Sequence, residues 1–183
     1  MNTILLNKKD GNSIEAELKL LDLSYLDEIM KLQDNIYEEM DNKEFYSCTT
    51  RDEFKEILKE NGKIIGCITL EDNKLVAIGV YIQYGYNENN YGYDINIKGE
   101  DLLKVGQLES ALVLKEFRGN RLQKNICTHL EKVAKDTGMK WLCATVEPNN
   151  KYSLNSVKEL GYKIMVEKLK YGGLNRYVLM KEL

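Results

Sequence analysis

With one proline, one histidine and one tryptophan in 183 residues, the chain lacks the usual side chains for a metal or nucleophilic site. His129 alone cannot supply the multi-histidine ligand sets of zinc enzymes, and a Cys-His catalytic pair is not expected. No metal is therefore expected. The four cysteines, Cys48, Cys67, Cys127 and Cys143, contain no Cys-x-x-Cys pair and read as reduced, small apolar residues in or near a core. No apolar run approaches the roughly 20 residues that span a bilayer. The opening MNTILLNKKDGNSIEAE has no charged segment followed by a long apolar core, so it does not read as a secretory signal. The expectation is a cytoplasmic protein with no membrane partner. Basic excess is missing too: the formal net charge of −3 argues against general nucleic-acid binding, which needs a basic face to displace counterions. Repeats, composition breaks and Pro/Gly/Ser linkers are absent. Residues 1–183, 43% hydrophobic, are thus expected to form one domain with a substantial core.

What is present is alternating strand and helix patterning. Residues 1–14 read as an edge strand or a mobile lead, and Glu15–Leu21 as a first strand. Ser24 with Asp27 has capping-box spacing and opens a helix carrying Leu26, Ile29, Met30, Ile36, Tyr37 and Met40. A second box, Thr50 with Glu53, opens a shorter helix with Phe54, Ile57 and Leu58, closed by Asn61-Gly62. Lys63–Leu70 and Leu75–Gln83 form an antiparallel hairpin around Asp72-Asn73. Tyr84–Val105, rich in tyrosine, asparagine and glycine, reads either as a binding loop or as a surface excursion, with a helical turn at Asp101–Lys104. Trp141–Val146 is a buried strand, Asn149/Asn150 begin a last helix ending at Gly161, and Lys163–Tyr171 and Asn175–Lys181 are final strands. Homodimerisation through those last strands is one possibility the sequence leaves open.

The chain is organised around Leu108–Gly138. An apolar strand (Ala111–Leu114) leads through Phe117-Arg118-Gly119-Asn120-Arg121-Leu122-Gln123-Lys124 into a helix with Leu122, Ile126, Leu130, Val133 and Ala134 on its apolar positions. Such a turn gathers unpaired N–H groups, the positive helix end and fixed cations, and phosphate is the ligand that suits it best. Arg118, Arg121 and Lys124 are either phosphate cations or solvated first-turn charges.

The order of elements, the run VLKEFRGNRLQ and the later PNNKYSLNSVKELGY resemble the GNAT superfamily of acyl-CoA-dependent N-acyltransferases. Arg118 fills the first place of that family's Q/R-x-x-G-x-G/A signature, whereas Arg121 and Gln123 stand where Gly and Gly/Ala are usual. Asn150, Ser153 and Leu160-Gly161-Tyr162 match the second signature. The resemblance covers roughly residues 15–183. It implies an α/β fold, a mixed and mostly antiparallel sheet with a central splayed parallel pair, flanked by about four helices. It further implies acetyl-CoA as acyl donor, bound by Leu112, Val113, Arg118, Gly119, Asn120, Arg121, Leu122, Gln123, Lys124, Asn150, Ser153 and Asn155, and an unidentified amine as acceptor.

Thioester aminolysis needs an amine made neutral, a polarised carbonyl and a protonated leaving thiolate. The resemblance assigns carbonyl polarisation to the backbone amide of Val113 or a neighbour. Glu109, four residues before Val113 and so on the same face of a regular strand, is either the general base or an exposed or salt-bridged strand carboxylate. Where many relatives carry a thiolate-protonating tyrosine this chain has Val157, leaving Ser156, Tyr152, Tyr162 or water as the acid. Tyr84, Tyr86, Tyr91 and Tyr93 could wall an acceptor pocket, and Asp94 and Glu100 could pair with an ammonium. The acidic balance of the chain favours a cationic acceptor. Competing readings are a catalytically silent acyl-CoA sensor and a nucleotide binder using the same loop.

Overall fold

The computed structural model describes residues 3–183; Met1 and Asn2, part of the expected lead, lie outside the described residues. Strands β1 (Thr3–Asn7), β2 (Ser13–Leu21), β3 (Gly62–Thr69), β4 (Leu75–Ile82), β5 (Val105–Val113), β6 (Trp141–Val146), β7 (Lys163–Lys170) and β8 (Leu174–Glu182) form one sheet. Its order is β1-β2-β3-β4-β5-β6-β8-β7, antiparallel at every joint except β5–β6. Helices α1 (Leu26–Glu38), α2 (Arg51–Glu56, continued by a π-helical turn over Ile57–Asn61), α3 (Leu122–Asp136) and α4 (Lys151–Glu159) complete the fold. The expected mixed sheet with a central parallel pair is what forms. No helix among the described residues is long and apolar enough to cross a membrane.

Burial explains why β3 and β4 read as continuous apolar runs rather than alternating ones. β4 is covered by both α3 and α1, and β3 by α3 and the π-helical turn that follows α2. Gly79 on β4 permits the close approach of α3: a Cβ there would stand 2.3 Å from Ile126 Cγ2 and 3.1 Å from Leu130 Cδ1. From the other face Gln33 of α1, itself buried, clamps the connection after it. Its amide donates to Thr49 O (2.9 Å) and its carbonyl accepts from Thr49 N (2.9 Å) and the Tyr46 hydroxyl (2.7 Å). The same Tyr46 hydroxyl reaches Ser110 Oγ on β5 (3.2 Å).

Local capping is right in one place and displaced in the other. Thr50 and Glu53 form the expected reciprocal box at α2. Ahead of α1 the cap belongs to Asp22, whose carboxylate accepts from Ser24 N at 2.9 Å. A single 3-10 turn (Leu23–Tyr25) intervenes, so Ser24 and Asp27 make no box. Asp22 competes successfully because a carboxylate is the stronger acceptor for orphan N–H groups. Three cysteines are buried and unpaired as expected, while Cys48 is exposed.

Two irregularities of β5 shape the site. Its parallel pairing with β6 covers only Val105–Leu108 against Trp141–Ala144, so the strands part beyond that point. On the β4 side the register passes from Tyr81↔Leu108 to Gly79↔Ala111, leaving Glu109 and Ser110 together opposite Val80. That extra residue is a β-bulge.

Candidate active site

At the turn between β5 and α3 the backbone offers an anion cradle. Gly119 has φ +97° and Arg121 sits in the left-handed region at φ +56°, so successive peptide N–H groups are turned toward one side. Among the described residues, the N–H groups of Gly119, Asn120, Arg121, Leu122, Gln123 and Lys124 make no hydrogen bond; the first to do so is Asn125, to Arg121 O at 3.0 Å. A Cβ on Gly119 would meet nothing within 4 Å, so the cradle is open. Arg118 and Arg121 are exposed beside it. Free donors and cations at a helix N-terminus fit a pyrophosphate.

The side chains of this turn divide by job. Arg118 Nε donates to Val113 O (3.3 Å), closing the turn back on β5. Asn120 is a structural clasp: its Oδ1 accepts from Asn7 N (2.8 Å) and its Nδ2 donates to Asn7 O (2.8 Å) and Phe117 O (2.9 Å). Gln123, where relatives carry Gly or Ala, reaches Ser153 Oγ (3.3 Å) and ties α3 to α4, and Lys124 pairs with Glu159 (3.2 Å). Asn150 caps α4 by accepting from Ser153 N (3.2 Å), while Asn155 is exposed on the same helix. For Asn120, then, only the backbone is free for a ligand, whereas among the described residues Asn150 keeps its Nδ2 free while Glu147 O and Leu154 N hold its backbone N–H and C=O.

The edge of β5 supplies further donors. Leu114 N donates to Val76 O on β4 at 3.0 Å. By antiparallel alternation the N–H and C=O of Val113 and Ala111 therefore point away from β4, into the gap where β6 has diverged, whereas those of Leu112 point to β4.

On the opposite side of that gap lies a cavity of about 360 Å³. Its walls come from the Phe45–Thr49 connection, Tyr84 and Tyr91 of the long loop, Glu109 and Ser110, Thr145, and the β7–β8 corner with Lys170, Tyr171 and Arg176. The bulge is why Glu109 faces it. With two residues set against Val80, the alternation that would have put Glu109 on the face of Val113 is broken, and Glu109 and Ser110 both line the cavity.

Glu109 is half-buried and fully engaged. Oε2 accepts from the Tyr91 hydroxyl (2.7 Å) and Oε1 from Gln107 Nε2 (2.7 Å), and Gln107 Oε1 accepts from Tyr91 N. The Tyr91 hydroxyl also bonds that of Tyr171, which bonds Thr145 Oγ1 (2.9 Å). Burial raises the Glu109 carboxyl above its ordinary value, against the two hydrogen bonds and the charge of Lys170, which pull it down. Burial likewise pushes the Tyr91 and Tyr171 hydroxyls up, reinforced by the neighbouring Glu109 charge. A carboxylate of raised basicity, facing a cavity and joined to a hydroxyl chain, can accept a proton.

The long loop is pinned rather than free. Asn90 Nδ2 donates to Gly85 O (2.6 Å) and Leu102 O (3.0 Å), Gly92 N donates to Asn90 Oδ1 (2.8 Å), and Tyr91 is buried. Tyr84 and Tyr91 reach the cavity; Tyr86 and Tyr93 are exposed outside it. Asp94 is not available to an ammonium, because Lys168 (2.8 Å) and Lys170 (2.5 Å) already pair with it. Glu100 is exposed away from the cavity lining. Tyr152 is 91% exposed on α4, and Ser156 Oγ bonds Tyr152 O (3.0 Å); neither lines the cavity. Tyr162 is buried beneath α3, with no partner for its hydroxyl. His129 is an exposed helix residue, its Nδ1 against Asn125 O (2.8 Å). Sequence reasoning passed over Gln107, Lys170, Tyr171 and Arg176. Two signals were there: Gln107 is polar inside an apolar strand, and Arg176 falls in phase with Val178 and Met180.

The profile of the Acetyltransferase (GNAT) family matches residues 26–162. Among solved structures, a probable acetyltransferase from Staphylococcus epidermidis ATCC 12228 is similar at TM-score 0.69 and 18% identity, covering 91% of this chain and 98% of that one. An N-acetyltransferase from Staphylococcus aureus Mu50 gives TM-score 0.69 at 16% identity over 91% and 97% of the two chains. The NatC complex bound to Gag peptide and CoA contains a chain similar at TM-score 0.70 and 12% identity, over 92% and 98%. No curated protein matches the sequence.

Proposed function

The chain belongs to the GNAT acetyltransferase family, and on that premise we propose that it transfers the acetyl group of acetyl-CoA to a primary amine of a small molecule or peptide. The observation that carries the reading is the placement of two sites on opposite sides of the β5–β6 gap. One is the open-amide turn before α3; the other is the cavity backed by Glu109. A solved structural neighbour bound to CoA supports the choice of donor.

In this reading the turn at Gly119–Lys124 holds the pyrophosphate, with Arg118 and Arg121 adding charge. The free edge of β5 pairs with the pantetheine arm, and the Val113 N–H stabilises the oxyanion as the amine nitrogen bonds to the thioester carbon. Glu109 accepts the proton the amine loses, directly or through Tyr91 or a water. The C–S bond then breaks, and the thiolate takes its proton from solvent, since α4 brings no hydroxyl to the cavity.

A thermal-shift screen paired with thiol detection tests this. CoA and acetyl-CoA should raise the melting temperature where adenine nucleotides do less, and an amine panel should release CoA thiol from acetyl-CoA. Stabilisation by nucleotides but not by CoA species would sink the acyl-CoA reading. Binding of acetyl-CoA without thiol release from any amine would favour the sensor reading, which the valine at position 157 motivates.

A further inference from the structure

The cavity contains a cation that the protein leaves unpaired. Arg176 on β8 is 3% exposed and lines the cavity with Lys170, Tyr171 and Glu109. Its guanidinium donates to two backbone carbonyls, Asn175 O (2.8 Å) and Glu44 O (2.7 Å). A guanidinium carries five N–H donors, and among the described residues the others meet no protein acceptor. Among the described residues no carboxylate comes within ion-pair distance of it. Burial, the first cause acting on Arg176, already lowers its hold on its own proton. Buried arginines are ordinarily charge-paired, because an uncompensated buried charge costs several kcal/mol.

The other charges of the cavity cannot supply the missing anion. Lys170 pairs with Asp94, which it shares with Lys168, and lies over the Tyr91 ring, 4.6 Å from its centre. Glu109 is held by Tyr91 and Gln107. Glu53 is committed to the α2 cap through Thr50, and Glu88 is exposed on the long loop. Glu147, which holds Asn149 through both carboxylate oxygens, and Glu44 act on Arg176 only across space, neither within ion-pair distance. A carboxylate in direct contact with the guanidinium has to come with a ligand.

We propose that Arg176 anchors the acceptor: the acceptor is a small amino carboxylate whose carboxylate pairs with Arg176 while its amine is presented to Glu109. This rests on the N-acetyltransferase reading and narrows it. Arg176 lies 5.6 Å from the centre of the Tyr171 ring, and the Tyr171 hydroxyl bonds Tyr91, which bonds Glu109. Two tyrosines and two hydrogen bonds thus separate the anchor from the base. A volume of about 360 Å³ is at the low end of small-molecule sites, roughly 300–1,000 Å³, and suits a molecule the size of a free amino acid. The acidity of the whole chain, which favoured a purely cationic acceptor, is not the charge the cavity presents.

The test uses the full chain, acetyl-CoA and thiol release with the proteinogenic L-amino acids, their carboxamides and the matching decarboxylated amines. At least one amino acid should exceed its carboxamide and its decarboxylated amine in kcat/KM. Arg176→Gln should raise KM for the amino acid by about 30-fold or more with a smaller change in kcat, collapsing the preference over the carboxamide. Arg176→Lys, which keeps the charge without the planar fork, should retain part of that preference and carries the test if Arg176→Gln does not fold. Melting temperature and CoA binding monitor folding in both variants. Thiol release from plain amines or carboxamides but from no amino acid overturns the proposal and leaves acetyl transfer standing. So does a preference that survives in folded Arg176→Gln. Absence of thiol release with every acceptor sinks the transfer reading, and this proposal with it.

Discussion

Replacing Glu109 by Gln removes the proposed base with little change of shape, and the hydroxyl chain allows the fold to absorb it. The carboxylate now accepts from both Tyr91 and Gln107. A carboxamide can keep one of these as acceptor and donate to the other, since the Tyr91 hydroxyl can reverse and donate to Tyr171 instead. The rate should nevertheless fall by about 100-fold or more at neutral pH, the usual contribution of a positioned general base. The deficit should also depend on pH. With a short peptide as the assay acceptor, its α-amine, of pKa near 7.8, is neutral in only about one molecule in seven at pH 7 and almost entirely neutral at pH 9. If Glu109 takes the proton, the wild type tolerates that shortage and the variant does not, so the ratio of their kcat/KM values should widen about sevenfold from pH 9 to pH 7. Stability gives an independent check. Because the folded Glu109 carboxyl is raised above its ordinary 4.5, its ionisation costs stability above the folded pKa and nothing below 4.5. Glu109→Gln should therefore melt higher than wild type near pH 8, the difference vanishing near pH 4. Parallel pH–rate profiles for the two proteins would remove Glu109 from the chemistry.

Gly119→Val should cost the free protein about 1–2 kcal/mol through its left-handed backbone rather than through crowding, since its Cβ meets nothing. In calorimetric titration it should also weaken CoA, because the new side chain stands in the anion cradle. Arg121→Gly relieves the same kind of backbone strain, so its melting temperature should hold or rise by a few degrees while CoA binding weakens through the lost cation. Equal CoA affinity would show that Arg121 does not face the phosphates. Burial pushes Asp94 up, but hydrogen bonds from Lys168 and Lys170 and their charge outweigh it and hold it below 3.8. Its stabilisation is complete above that value and lost as pH falls through the depressed pKa. Asp94→Asn should accordingly lower the melting temperature at pH 7 and lose that effect in strong acid.

What the sequence disclosed and what it hid follow from the range of the interactions involved. The Thr50–Glu53 box, the β3–β4 hairpin and the Asn150 cap are local, and each is visible within one uninterrupted stretch of sequence. The Ser24 box failed locally too, but to a competitor, Asp22, two residues upstream. The phosphate turn was readable because backbone geometry needs glycine and a helix start. The roles of Asn120 and Gln123 were not, since their partners Asn7 and Ser153 are far away in the chain. Glu109 was named for a reason the structure replaces. Strict alternation would have aligned it with Val113, whereas the bulge turns it, together with Ser110, into the cavity. A one-residue bulge leaves almost no mark in composition, yet it reverses which face every later side chain occupies.

That reversal links the two halves of the site. Beyond the bulge, Ala111 and Val113 turn their amides toward the gap left by β6, where an acyl donor can pair with them. Before it, Gln107 and Glu109 aim their side chains at the long loop and bind Tyr91. Without the extra residue, Glu109 and Val113 would share a face, and the carboxylate would leave the acceptor cavity for the α3 side of the sheet. Pinning of the loop depends on the same residue. Tyr91 is held by Gln107 and Glu109 together, and Tyr91 in turn holds Tyr171, beside which Arg176 stands. The bulge on the β4 side and the parting of β6 on the other thus together set the free donor edge, the base and the acceptor wall.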